Sequence, residues 1–284
     1  MRPFASLMPY PEALAKALAA CRSVEAMEKV PLAGALGRVA ARDVASKMDL
    51  PGSPRAAMDG YAIASPGADG LILVGHSHLG APFRGLVPAG ACAEIATGAL
   101  LPLGTDAVVM VEETEREGDR VRFKSRAKPG QNISPAGEDF RAGDKIVEAG
   151  SVLHPGRLLA LAACGFPEVE VFRRPLVAHA TGGDEVVPPG GSLKGPDGVY
   201  DANSFAVSSL AAAHGGVAKS LGIVPDTMEA LQEAVARAEG ADLLVFSGGT
   251  SVGPKDFTLD VLGKGSELIF RGVAVKPGRP TILG

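Results

Sequence analysis

Nowhere in its 284 residues does the chain carry an apolar run approaching the ~18 residues that a membrane-spanning helix needs. A membrane-spanning protein is therefore not expected. Cysteine is scarce: Cys21, Cys92 and Cys164 are far apart, odd in number and without a Cys-x-x-Cys pair. That argues against a disulfide framework or a thiolate zinc site and suits a reducing compartment. Positive charge is not in excess either. Lys and Arg number 28 against 32 Asp and Glu, a net charge of −4, with no basic stripe. Nucleic-acid binders are usually basic, so no nucleic acid is expected as a partner. An anionic ligand would need local cations or backbone N–H groups. The opening Met-Arg-Pro-Phe-Ala-Ser lacks the apolar core of a signal peptide, and the expected location is cytoplasmic. What is present is an ordinary globular balance, 46% hydrophobic and 21% charged. At roughly 100–200 residues per domain, the length predicts two or three domains.

Residues 11–29 read as a helix, with Pro11 in its first turn and Leu14, Leu18, Cys21 and Met27 on one face. A short helical stretch around 33–36 ends at Gly37. Over 52–136 glycine and proline recur between short apolar runs at 61–64, 71–74, 93–96, 107–111 and 121–123, which predicts a β-rich domain. Mixed structure returns over 137–175, with a helix at 156–163 after Pro155 and a strand at 169–172. From 176 onward strands (176–180, 221–224, 243–246, 268–275) alternate with helices (201–214, 227–238, 257–262). The 227–238 helix shows a stripe of Met228, Leu231, Val235 and Ala238. Such alternation means a parallel sheet covered by helices, with ligands at the carboxyl ends of its strands. The expected fold is an α/β multi-domain one. Residues 1–46 with 137–175 form a discontinuous mixed domain, 47–136 a β-rich inserted domain, and 176–284 a doubly wound α/β domain.

Several stretches carry chemistry. At 243–256 an apolar strand runs into Ser-Gly-Gly-Thr-Ser-Val-Gly-Pro-Lys-Asp, whose glycines let backbone N–H groups approach an oxyanion. Asp256 could hold a cation there or simply cap the following helix. At 180–190 Asp184 and Glu185 follow another apolar strand, the arrangement that holds magnesium beside phosphates, or a solvated acidic turn. Asp201 or Asn203, and Asp226 before Thr227, could be helix caps. Lys276-Pro-Gly-Arg-Pro280 is a stiff turn with two cations, suited to an oxyanion or to plain surface. Asp59-Gly60 reads as a turn between extended pieces, and Thr97 beside Gly98 could present a hydroxyl. His76 and His78 share a strand face, more simply as exposed residues than as metal ligands.

Together, Met-Asp-Gly-Tyr-Ala (58–62), Ala-Thr-Gly-Ala-Leu-Leu-Pro (96–102), Gly-Glu-Asp (137–139), Gly-Asp-Glu-Val-Val (183–187), Tyr-Asp-Ala-Asn (200–203), Ser-Gly-Gly-Thr-Ser-Val-Gly (247–253) and Lys-Pro-Gly-Arg-Pro (276–280) resemble, in order and spacing, the molybdopterin molybdenumtransferases, the family of bacterial MoeA and the gephyrin E domain. The resemblance implies insertion of molybdenum from molybdate into adenylylated molybdopterin with release of AMP, assisted by a divalent cation such as Mg2+. It implies a homodimer whose cleft joins the α/β domain of one subunit to the β-rich domain of the other, and a molybdopterin adenylyltransferase as a partner. Asp59, Thr97, Glu185 and Asp226 match its catalytic positions. Asp139, Lys276, Arg279 and the loop residues Ser247, Gly248, Gly249, Ser251 and Gly253 match binding positions. Glu185, Asp184 and Asp256 would hold the cation. The family fold ends in a β-barrel that this sequence does not reach, so the α/β domain is expected to be incomplete. Three departures stand out: Gly182 where the family has a hydroxyl residue, Ser134 where it often has arginine, and Arg279 where lysine is common. They motivate a second reading, a molybdopterin-binding or scaffolding relative without turnover.

Overall fold

The computed structural model describes residues 7–67, 70–248 and 267–284. The chain forms two compact units, one of Lys29–Glu170 and one of Met1–Glu28 with Val171–Gly284.

The Lys29–Glu170 unit is built on a six-stranded sheet. Its order is Ala107–Met110, Gly60–Ile63, Ala91–Ile95, Leu71–Ser77, Arg120–Phe123, Thr114–Glu117. Neighbours are antiparallel except Leu71–Ser77 with Ala91–Ile95, which run parallel. Gly60–Ile63 is buried at all four positions, so it shows no alternation. Tyr61 and Ile63 pack with Leu71, Val109 and Val121 on one face, and Ala62 packs with Ile95 and Val108 on the other. Gly60 is required by space, because a Cβ there would stand 1.9 Å from the Val109 carbonyl oxygen. The five apolar runs expected as strands all lie in this sheet. The sixth strand, Thr114–Glu117, has no apolar residue, and backbone pairing to Arg120–Phe123 alone makes it a strand. Helix Pro155–Ala163 begins at the expected proline and buries Leu161.

The other unit carries a three-stranded parallel sheet, ordered Val217–Val224, Leu176–Gly182, Leu243–Ser247. Ala178 and Ala180 of the central strand pack with Leu221, Leu231 and Ala234, which covers one face with helix Met228–Arg237. The buried stripe of that helix is Leu231, Ala234 and Ala238, while Val235 is exposed, a small rotation from the expected face.

Two expected elements are corrected. The N-terminal helix spans Tyr10–Ala20, not 11–29. Met27 opens a strand instead, and the Ala26 carbonyl accepts from the Arg173 amide at 2.7 Å, a tertiary bond that outweighs weak helix propensity. The strand expected over 268–275 shrinks to Phe270–Arg271, paired with Ile282–Leu283, because Gly272 takes φ +87° and turns the chain. The helix expected at 257–262 lies outside the described residues.

Asp242 ties the starts of two strands together. Its carboxylate takes a two-armed bond from Arg173 at 2.8 and 2.9 Å and a third from the Leu176 amide at 2.6 Å. The Arg173 bond, then the Leu176 amide, hold its pKa down from 3.8 to about 2. A depressed carboxylate stabilises the fold above its ordinary pKa, and that stabilisation fades as pH falls through the folded value. Urea midpoints of the wild type should therefore drop between pH ~4 and ~2. Asp242→Asn should be less stable at neutral pH and should lose that part of the acid dependence. Identical acid profiles for the two proteins would contradict the assignment.

Candidate functional site

Period-two alternation sends Ala178 and Ala180 to the core, and His179 and Thr181 to the opposite face, where helix Asn203–Ala213 packs. Parallel register sets Thr181 beside Ser247. The Ser247 hydroxyl donates to Thr181 Oγ1 at 3.1 Å, and the Thr181 hydroxyl donates to Asp201 Oδ1 at 2.9 Å. Ser204 Oγ lies 3.1 Å from Thr181 Oγ1, and the Ser204 amide donates to Asp201 Oδ1 at 3.0 Å. Asp201 is 7% exposed. Burial pushes its carboxyl up, but the bonds from Ser204 and Thr181 outweigh this and hold it below the ordinary range.

Beyond Thr181 the backbones converge. Gly248 has φ +89°, and a Cβ there would stand 2.2 Å from the Gly182 carbonyl oxygen. Gly183 has φ +140°, and a Cβ there would meet both Glu185 carboxylate oxygens at 2.8 Å. The resulting turn gathers Asp184, Glu185 and Asp226. The Asp226 amide donates to Asp184 Oδ1 at 3.3 Å, and Asp226 Oδ1 lies 3.7 Å from the Cβ position of Gly182. Asp226 is not the helix cap, since Thr227 Oγ1 takes that role by accepting from the Ala230 amide at 3.2 Å. Asp184 and Glu185 are exposed, and Lys194 donates to the Asp184 carbonyl at 2.8 Å. Their hard oxygens fit a magnesium ion, which binds through one or two carboxylates plus substrate phosphates. Among the described residues no three His, Cys, Asp or Glu are grouped to hold a metal by themselves. Gly249, Ser251, Gly253 and Asp256 lie outside the described residues.

The Lys276–Pro280 stretch is a tight turn. The Val273 amide donates to the Arg279 carbonyl at 3.0 Å, and Gly278 sits at φ +106°. Lys276 and Arg279 are exposed. Gly278 and Pro280 border a cavity of about 540 Å³ whose other wall is strand Leu243–Ser247 with Gly248. The backbone of that turn and the start of the glycine-rich loop thus border one cavity, whose lining includes neither Lys276 nor Arg279.

The Lys29–Glu170 unit holds a second cluster. Asp59 Oδ1 accepts from both the amide and the hydroxyl of Thr97, at 2.6 and 2.8 Å. These bonds, the amide first, hold its carboxyl below the ordinary range. Asp59 lines a cavity of about 320 Å³ with His78 and Glu94. Glu94 Oε2 pairs with His76 Nδ1 at 3.1 Å and Arg116 at 3.2 Å, and the His76 and His78 rings stack with centroids 6.0 Å apart. Asp139 is exposed, bonds Leu50 O through its amide at 2.9 Å, and does not line that cavity. Ser134, at the position where arginine is common, donates to Glu138. Nearby Asn132 takes φ 54° and donates through Nδ2 to the Val108 carbonyl at 2.9 Å.

Glu94 is legible in the sequence only as a lone charge in the apolar run 91–95. The hydroxyl network centred on Thr181, which joins it to Asp201, Ser204 and Ser247, is not legible there, because its members lie twenty or more positions from Thr181.

The glycines make a sharp pair of expectations. Around Gly182 the nearest atoms to an added Cβ stand at 3.7 Å or more and no positive φ is imposed, so Gly182→Ser should fold with an unfolding midpoint near wild type. Gly248→Ala should cost about 3 kcal/mol or more, through overlap with Gly182 and the φ it must keep. Urea denaturation checks both, and equal stability of the two variants would contradict the close approach.

Residues 8–165 match the model of the MoeA N-terminal region (domain I and II), and residues 178–284 match a probable molybdopterin binding domain. A molybdopterin molybdenumtransferase of Haemophilus influenzae is 37% identical over 262 residues, covering 90% of this chain and 65% of that protein. Another, from Nostoc, is 34% identical, covering 89% of this chain and 60% of its own length. The chain therefore spans less than two thirds of these relatives. The crystal structure of a molybdopterin biosynthesis moeA protein from Pyrococcus horikoshii superposes with a TM-score of 0.86 at 31% identity, covering 98% of this chain and 72% of that one. With one family model spanning more than half of its residues and relatives at these identities, the chain belongs to the MoeA family.

Proposed function

We propose that this protein inserts molybdenum from molybdate into adenylylated molybdopterin and releases AMP. The observation that carries the reading is the meeting of Asp184, Glu185 and Asp226 with Gly182 and Gly248 at the carboxyl ends of parallel strands. Backbone N–H groups of the glycine-rich loop, with Lys276 and Arg279, would bind the phosphates. Glu185 and Asp184 would hold a divalent cation, which supplies charge neutralisation at the phosphates when bound. Displacement at phosphorus depends mostly on positioning and charge neutralisation, and these groups supply both. Asp226, half-buried beside Gly182, would orient the acidic turn. Asp59, kept ionised by Thr97, would position molybdate or its incoming water. Asp139 would contact the substrate from the same unit as Asp59.

The reading brings with it the family's other expected features: a homodimer, a molybdopterin adenylyltransferase that supplies the substrate, and a cytoplasmic setting. Among the described residues no helix is long and apolar enough to cross a membrane. It also divides the chain more finely, into 1–46 with 137–175, 47–136, and 176–284. A second reading, binding without turnover, draws on Gly182 and on Ser134, whose hydroxyl is engaged by Glu138 where a cation would face an anion.

AMP release from adenylylated molybdopterin, with and without molybdate and magnesium, tests the two readings. Molybdate-dependent release supports the transferase, and binding without release supports the alternative. Asp59→Ala and Glu185→Ala, both at exposed positions, should fold normally and lower turnover at least about a hundredfold. Full activity in either variant would remove that residue from the machinery.

A further inference from the structure

On the Thr181 face of the sheet lies a cavity of about 390 Å³ that the proposed chemistry does not use, within the ~300–1,000 Å³ of small-molecule sites. Neither lysine nor arginine lines it, and Asp201 is its one carboxylate. Asp201 is 7% exposed. The Thr181 hydroxyl and the Ser204 amide both donate to its Oδ1, while no described residue donates to Oδ2 in hydrogen-bond geometry. Oδ2 is nevertheless not one of the fully enclosed, unpaired polar atoms, so it keeps accessible surface. The surface that Asp201 keeps belongs to the cavity wall.

The bonds that hold this carboxyl below the ordinary range come from neutral hydroxyl and amide groups. His179 acts on it through space, and no Lys, Arg or His nitrogen of the described residues forms an ion pair with it. The start of helix Asn203–Ala213 contributes at most about half a positive charge. A buried carboxylate short of positive charge is costly, and a cation in the cavity would offset that cost. The rest of the wall suits an organic cation. Phe205, 62% exposed, offers a ring face to a positive group. The Ser220 hydroxyl accepts one long bond, from the Gly222 amide at 3.3 Å, and has acceptor capacity left. Pro188 and Ile223 add apolar surface. A bare metal ion would need a close shell of oxygens and would gain nothing from that surface.

We propose that this cavity binds a small organic ammonium, a charged primary amine on an apolar or aromatic body, with the ammonium held by Asp201 and Phe205. The proposal goes beyond the transferase reading and does not depend on it, since none of the proposed phosphate-binding groups takes part.

The test is a titration of the full chain with phenethylammonium, its neutral isostere 2-phenylethanol and the anion phenylacetate, and with K+ and Mg2+ alone. Calorimetry and the 15N amide signals of Phe205 and Ser208 follow binding. Phenethylammonium should saturate the site and shift both signals, the alcohol should bind at least about tenfold more weakly, and phenylacetate should not bind. Phe205→Ala, at an exposed position, should keep an unfolding midpoint near wild type and weaken phenethylammonium about tenfold. Asp201→Asn should bind the ammonium and the alcohol alike. If its urea midpoint shows that it does not fold, the ammonium-to-alcohol ratio of the wild type and the Phe205→Ala loss decide the matter. No saturable binding, equal affinity for ammonium and alcohol in the wild type, or an unchanged affinity in Phe205→Ala would each overturn the proposal. The same shifts produced by K+ or Mg2+ alone would overturn it in favour of a bare metal ion.

Discussion

The contact on which the α/β unit depends is one between two backbones. Gly248 approaches the Gly182 carbonyl so closely that even a methyl group would overlap it at 2.2 Å. That approach brings the carboxyl ends of two parallel strands together just where their side chains change from apolar to polar. Thr181 and Ser247 can then share hydroxyl bonds, and Asp201 can reach them from the start of the next helix. Separate these strand ends and the acidic turn at Asp184, Glu185 and Asp226 loses its fixed place beside Ser247 and Gly248.

Two aspartates of the candidate sites share a low pKa for different reasons. Asp201 is buried, and burial alone would favour its neutral form, so its charge depends on the Ser204 and Thr181 bonds. Loss of those bonds would leave an uncompensated buried charge. Asp59 is exposed and has little such penalty to overcome. Two bonds from the same Thr97 orient one oxygen and leave the other for solvent or ligand. The first suits a framework, the second a group that meets substrate.

Much of the architecture was legible because local signals and tertiary demands agreed. The five apolar runs between 61 and 123 became sheet strands, and the alternation after 176 became a parallel sheet. Reading failed where a partner distant in sequence made the element. Thr114–Glu117 is polar throughout yet pairs as a strand, and the N-terminal helix stops at Ala20, where Cys21 turns extended, while Ala26 further on is engaged by Arg173. The candidate site follows the same division. Asp184 with Glu185, and the basic turn at Lys276, stood out from their neighbours in sequence. Asp201 read as a cap, since a cap needs only local sequence, whereas its bond to Thr181 joins residues twenty positions apart.

The sequence by itself determined the MoeA family membership, the acidic and basic residue types at the strand ends, and the glycines at 60, 182, 183 and 248. Composition and motif order carry that information without any fold. Only the tertiary structure decided which of those residues meet. Parallel register set Thr181 beside Ser247, the capping bond fell to Thr227 and left Asp226 beside Asp184, and packing enclosed His179 with one nitrogen unpaired. Register, capping and enclosure are relations between segments, and a side chain's partner across a sheet depends on the pairing of two strands rather than on either strand alone.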